Sequence, residues 1–122
     1  MNKKRGYRDL LAWQRAYELG LRIYQSTVNW PREEQYGLTS QIRRAAVSVA
    51  ANIAEGYDRS SRNEYIHFLS VARGSLAEVE TFILLARDLG YMPPDDAEAL
   101  IELQDEAGKL LRGLARSVQS KR

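Results

Sequence analysis

The stretch from Ser61 to Tyr91, SRNEYIHFLSVARGSLAEVETFILLARDLGY, decides the fold. Ser61 and Glu64 form a capping box, in which a side chain takes an orphan amide at each end of the first turn. Tyr65, Phe68, Leu69, Ala72, Leu76, Val79, Phe82, Ile83 and Ala86 then recur at three-four spacing, the mark of one long amphipathic helix. Leu89-Gly90-Tyr91 reads as a Schellman stop, with Tyr91 folded back on the last turn.

Working outward, Pro93-Pro94-Asp95 opens a helix with Leu100, Leu103, Ala107, Leu110, Leu111, Leu114 and Val118 on its stripe. Its acids (Asp95, Asp96, Glu98, Glu102, Asp105, Glu106) precede its bases (Lys109, Arg112, Arg116, Lys121, Arg122), the order a helix dipole favours. Towards the N-terminus, Leu38, Ile42, Ala45, Ala46, Val49 and Ile53 form a helix that stops at Gly56 as a C-cap. It starts either at Pro31 or after Gly37. A first helix runs from Asp9 to about Asn29, with Leu10, Trp13, Ala16, Tyr17, Gly20, Tyr24 and Thr27 on its stripe and Trp30-Pro31 as its stop. There is no strand-like alternation and no internal repeat. Short connections make successive helices antiparallel neighbours, so the expected fold is all-α, an up-down-up-down four-helix bundle. The 122 residues fit one domain, with a basic N-terminal arm (1–8) and a basic C-terminal tail (119–122).

Composition excludes several classes of function. No cysteine is present, so disulfides and thiolate metal sites are out. The one histidine, His67, reads as a surface or interface residue and cannot be built into a nucleophile-base set. Glu64 stands three residues before His67, but a di-iron bundle needs two such Glu-x-x-His pairs and the chain has one histidine. Neither enzyme activity nor a metal or cofactor is expected. No apolar run approaches a membrane span and no leader is visible, so the expectation is a cytoplasmic protein without membrane contact.

Three features carry functional readings. Ala45 to Ala54 has no charged residue over almost three turns, and a surface helix of a monomer shows charge on its outer face. Ala46, Val47, Ala50 and Ala51 are therefore interface candidates for self-association, against deep packing inside the chain's own bundle. Asn52, Glu55 and Arg73 read as a polar cluster, with Glu55 paired to an arginine such as Arg73. A structural role is set against a ligand-binding one. Gly74, in mid-helix, is expected to mark close packing against another helix, which offsets the helix propensity it lacks.

The third feature is basic. Arg8, Arg15 and Arg22 recur every seven residues along the first helix, and Lys3, Lys4 and Arg5 extend them. Arg43 and Arg44 add to the set. Net charge is only +2, and Glu18 can pair with Arg15 and Arg22, so a solvated face competes with a phosphate-binding one.

Taken in order, Tyr7-Arg8-Asp9-Leu10, Trp13-Gln14, the run Tyr36 to Ser48, Asn52-Ile53-Ala54-Glu55-Gly56, Ser61, Glu64, Phe68-Leu69 and Ala72 to Glu78 resemble the proteins encoded within 23S rRNA intervening sequences. The chain is also similar to the accessory variability protein of diversity-generating retroelements. The resemblance implies a four-helix bundle assembled as a homopentamer, without enzyme activity. The second similarity implies association with a reverse transcriptase and with nucleic acid. Val49-Ala50-Ala51 stands where relatives often have Ile-Pro-Ser, which predicts a straighter second helix. Two functions follow. One is a homo-oligomeric bundle that binds RNA or DNA weakly through its backbone. The other is a protein-interaction scaffold, for a reverse transcriptase for example, without a direct nucleic-acid role.

Overall fold

The computed structural model describes residues 6–121. A short 3-10 turn, Gly6–Asp9, leads into α1 (Leu11–Ser26). A second 3-10 turn, Arg32–Glu34, precedes α2 (Leu38–Tyr57), which is followed by α3 (Arg62–Asp88) and α4 (Pro94–Ser120). Among the described residues there is no strand. The helices form an up-down-up-down antiparallel bundle. Backbones of α1 and α2, α2 and α3, α3 and α4, and α4 and α1 lie side by side, while the two diagonal pairs stay apart. The core between them is an aliphatic column built on Leu19, Ile23, Ile42, Val49, Ile53, Leu69, Val79, Ile83, Leu100 and Leu111.

The α3 punctuation follows its chemistry closely. Ser61 Oγ accepts the Glu64 amide at 3.3 Å. The reciprocal Glu64 carboxylate bond is not made, so the box is half closed. At the other end Gly90 adopts φ +80°, Tyr91 N–H donates to Ala86 O and Gly90 N–H to Arg87 O, the two bonds of a Schellman motif.

Two helix boundaries differ from expectation, and the later of the two expected α2 starts is the one adopted. Helix α1 ends at Ser26, well before Pro31, with the buried Thr27 at its C-cap donating from its hydroxyl to Ile23 O at 2.8 Å. Helix α2 starts after Gly37, where Glu34 Oε1 accepts Leu38 N–H at 3.0 Å. Gly56 is not a C-cap. It lies inside α2, which runs to Tyr57, and it is buried where α2 meets α3. A Cβ there would stand 2.9 Å from Phe68 Cβ and 3.0 Å from Tyr65 Cδ1.

Glu34 does two jobs at the loop end of the bundle, since Tyr91 O–H also donates to its Oε2 at 2.8 Å. The Leu38 amide first, and then the Tyr91 hydroxyl, hold the Glu34 carboxyl below its ordinary value of 4.5 against the opposing effect of burial. The same hydrogen bond holds the Tyr91 hydroxyl above 10.0. A folded-state pKa below the unfolded one means that the stabilisation is complete above the unfolded value and is lost as pH falls through the folded value. Glu34→Gln is therefore expected to melt less differently between pH 7 and pH 3 than the parent does. Parallel acid-limb slopes in thermal melts of the two proteins would refute the role given to Glu34.

The apolar α1–α2 face and the basic groups

The clearest surface feature lies between α1 and α2. Trp13, Tyr17, Leu21 and Tyr24 rise from α1, while Val47, Ala50, Ala51 and Ala54 form the facing wall on α2. Together with Tyr7 they enclose an open, almost wholly apolar groove of about 350 Å³. Tyr17 is 51% exposed, Leu21 49%, Tyr24 45% and Val47 48%, which is far from burial for residues of this size. Trp13 stacks on Tyr17 with ring centroids 5.0 Å apart, and Tyr7 packs on Trp13 at 5.3 Å. A contiguous exposed apolar patch of this kind is unusual on a soluble monomer.

Small residues make the groove. Gly20 on α1 backs onto Ala46 of α2, whose carbonyl would lie 4.0 Å from a Cβ at Gly20. The four interface candidates are thus brought to one place, with one correction. Ala46 is fully buried beneath the groove, packed against its own bundle, so only Val47, Ala50 and Ala51 face outward. The α1 half of the face went unread in the sequence. Its aromatic residues share the three-four spacing of the true core stripe, Ala12, Ala16, Leu19 and Ile23, so the sequence pattern puts Trp13, Tyr17 and Tyr24 on the stripe instead.

The polar cluster departs from the expectation in one member: Asn52 bonds neighbouring backbone and Glu55 takes an arginine, but that arginine is not Arg73. Asn52 Nδ2 donates to Ser48 O at 2.8 Å and to Ser48 Oγ at 2.9 Å, and Ser75 Oγ donates to Ser48 Oγ at 2.9 Å. This hydroxyl link ties α2 to α3. Glu55 does not join it. Its carboxylate takes Arg59, one turn on, at 2.7 Å, and both side chains are largely in solvent. Arg73 lies exposed on α3, away from both. The serines were the missing signal, since two hydroxyls set among apolar residues need each other once buried. The neighbouring Gly74 also departs from expectation. It is exposed, and a Cβ would meet nothing within 4 Å, so packing within the chain offsets none of its propensity cost of about 1 kcal/mol.

The basic candidates divide. Lys3, Lys4 and Arg5 lie outside the described residues. Arg8 belongs to the 3-10 turn rather than to α1, so the seven-residue series does not run along one helix. Arg15 Nε donates to Glu106 of α4 at 2.9 Å and sits 3.9 Å from Glu18, which places this side of α1 against α4. Arg43 stitches α1 to α2, donating to Thr27 Oγ1 at 2.8 Å with its guanidinium 4.7 Å from the Tyr24 ring centre. Arg8, Arg22 and Arg44 engage no side chain among the described residues. His67 is exposed and lies edge-on to Phe68. No group of three His, Cys, Asp or Glu residues suited to a metal ion occurs among the described residues, and no helix there is long and apolar enough to cross a membrane.

No functionally curated protein matches the chain. A crystal structure of a protein of unknown function from the S23 ribosomal protein family of Bacteroides thetaiotaomicron is similar, with 26% identity and a TM-score of 0.77. The similarity covers 86% of this chain and 98% of that one. The family model for the 23S rRNA-intervening sequence protein matches residues 8–113, most of α4 included. With that match spanning the bundle, the chain belongs to the 23S rRNA-intervening sequence protein family.

Proposed function

We propose that the protein is a non-enzymatic scaffold that self-associates through the α1–α2 face, as a homopentamer, and touches RNA or DNA weakly through the phosphate backbone. The carrying observation is the aromatic groove of Trp13, Tyr17, Leu21 and Tyr24 opposite Val47, Ala50 and Ala51. Its centre has no charged lining residue, as interface cores do not. The pentameric count rests on the family resemblance.

The nucleic-acid part is supported by Arg8, Arg22 and Arg44, which keep their donors for a partner, and by the Lys3-Lys4-Arg5 sequence ahead of them. Arg15 and Arg43 are already engaged and contribute less. Groups of this type read phosphates rather than base edges, so binding should tolerate sequence and weaken with salt.

Multi-angle light scattering at micromolar concentration tests the assembly. About five times the chain mass is the expected result. A monomer would remove the self-association reading and leave the groove to a different protein, a reverse transcriptase among the candidates.

A further inference from the structure

A second groove, of about 530 Å³, runs between α3 and α4 on a different helix pair from the apolar face. Gln104 Nε2 donates to Leu76 O at 3.2 Å across it, and a Cβ at Gly108 would lie 3.8 Å from Leu76 Cδ1. These contacts fix the antiparallel register. Arg73 of α3 and Arg112 of α4 therefore share one end, and Glu80 shares the other with Gln104. Arg73 and Glu80 are two turns apart, about 10 Å along the axis. The groove is thus polarised, basic at one end and carboxylate-bearing at the other.

Neither Arg73 nor Arg112 forms an ion pair with a described residue. Arg112 lies back over Gly108, with Nη1 3.4 Å from the place a Cβ would occupy, so that glycine makes room for the guanidinium. Gly74, beside Arg73, makes room for nothing in the chain itself. Ser70 adds a hydroxyl to the basic end, and Gln104 keeps its carbonyl oxygen free of the bond to Leu76.

We propose that the α3–α4 groove binds a phosphate group between Arg73 and Arg112, over the open surface at Gly74. Two guanidinium forks meet a phosphate's oxygens with several charge-assisted bonds, and the bare helix surface at Gly74 lets the anion approach closely. Glu80 faces the other end, where it accepts from a hydroxyl or amine of the same ligand and repels a second anion. The phosphate is either a free ester or a unit of an RNA strand. The site does not depend on self-association.

The test uses the full chain at low salt. Inorganic phosphate and adenosine 5′-monophosphate, each at tens of millimolar, are expected to raise the melting temperature of the parent but not of R73Q/R112Q. Where the phosphate is a unit of a strand, a labelled single-stranded RNA followed by anisotropy loses at least about tenfold in affinity in that variant. Response to the nucleotide without RNA binding identifies a free ester, and tighter binding of RNA identifies the strand. Gly74→Ala is expected to melt higher than the parent without phosphate, yet to gain less from it. Equal phosphate shifts in parent and R73Q/R112Q, or none in either, overturn the site. Light scattering of the same variants is unaffected by that outcome, so failure here and failure of the assembly reading stay separate.

Discussion

Under the self-association proposed above, Ala51→Glu is expected to give single chains. Ala51 is exposed in the bundle and lines the α1–α2 groove, so a carboxylate there projects into solvent in a lone chain. Surface changes of that kind leave stability within about 0.5 kcal/mol. In an apolar interface the same carboxylate is buried without a partner, at a cost of several kcal/mol repeated at every contact. Val47→Glu should act alike, and Ala46→Glu should instead unfold the chain, because Ala46 is 0% exposed. Scattering mass and circular dichroism measured together separate the outcomes. Parent-sized particles from both Ala51→Glu and Val47→Glu would place the contact on another face.

The second large effect is on stability, at Gly56. An added methyl would gain about 1 kcal/mol of helix propensity. Against that, its contacts at 2.9 Å to Phe68 Cβ and 3.3 Å to the Tyr65 carbonyl are with atoms on or next to the α3 backbone, which cannot swing aside. Overpacking of a rigid contact costs about 1–3 kcal/mol. Gly56→Ala is therefore expected to lose about 1 kcal/mol net and Gly56→Val about 3 kcal/mol, by urea unfolding with an unchanged slope. Gly74→Ala supplies the opposite sign in the adjoining helix. A gain in stability at Gly56 would show that α2 and α3 can separate freely at that point.

These two glycines also show where sequence reading stops. Both interrupt apolar helical patterns. Position relative to a stop signal suggested a cap at Gly56, and position in mid-stripe suggested tight packing at Gly74, yet the structure puts the tight packing at Gly56. Propensity is local, whereas the space around a backbone atom belongs to the neighbouring helix. The same limit affected α1. Trp13, Tyr17 and Tyr24 repeat with the period of Ala12, Ala16, Leu19 and Ile23, and periodicity alone does not say which of two apolar stripes points inward. Larger side chains look like the better core. Here the small ones are inside, because α2 approaches α1 closely along Gly20 and Ala46.

What was legible had chemical punctuation. The Ser61 cap, the Gly90-Tyr91 stop and the Pro94 start locate α3 and α4 to within a residue or so. The uncharged Ala45–Ala54 run located the α2 half of the apolar face, since absence of charge on all sides is visible without knowing the rotation of the helix. Ion pairs were less legible. Glu106 lies 91 positions from Arg15 in the chain, and only the closed ring of helices brings them together.

The two tryptophans sit in contrasting places. Trp30 is 7% exposed under the α1–α2 turn, 5.9 Å from the Tyr91 ring, and its buried indole N–H finds no acceptor among the described residues. Trp13 is half-buried at the edge of the outer groove against Tyr17. The chain thus carries its own pair of optical reporters. Emission from Trp30 follows the loosening of the bundle, while emission from Trp13 follows wetting and drying of its outer face. Trp13→Phe and Trp30→Phe would each leave a single fluorophore, so that loosening of the bundle and covering of its outer face are read from two separate proteins, each by one residue.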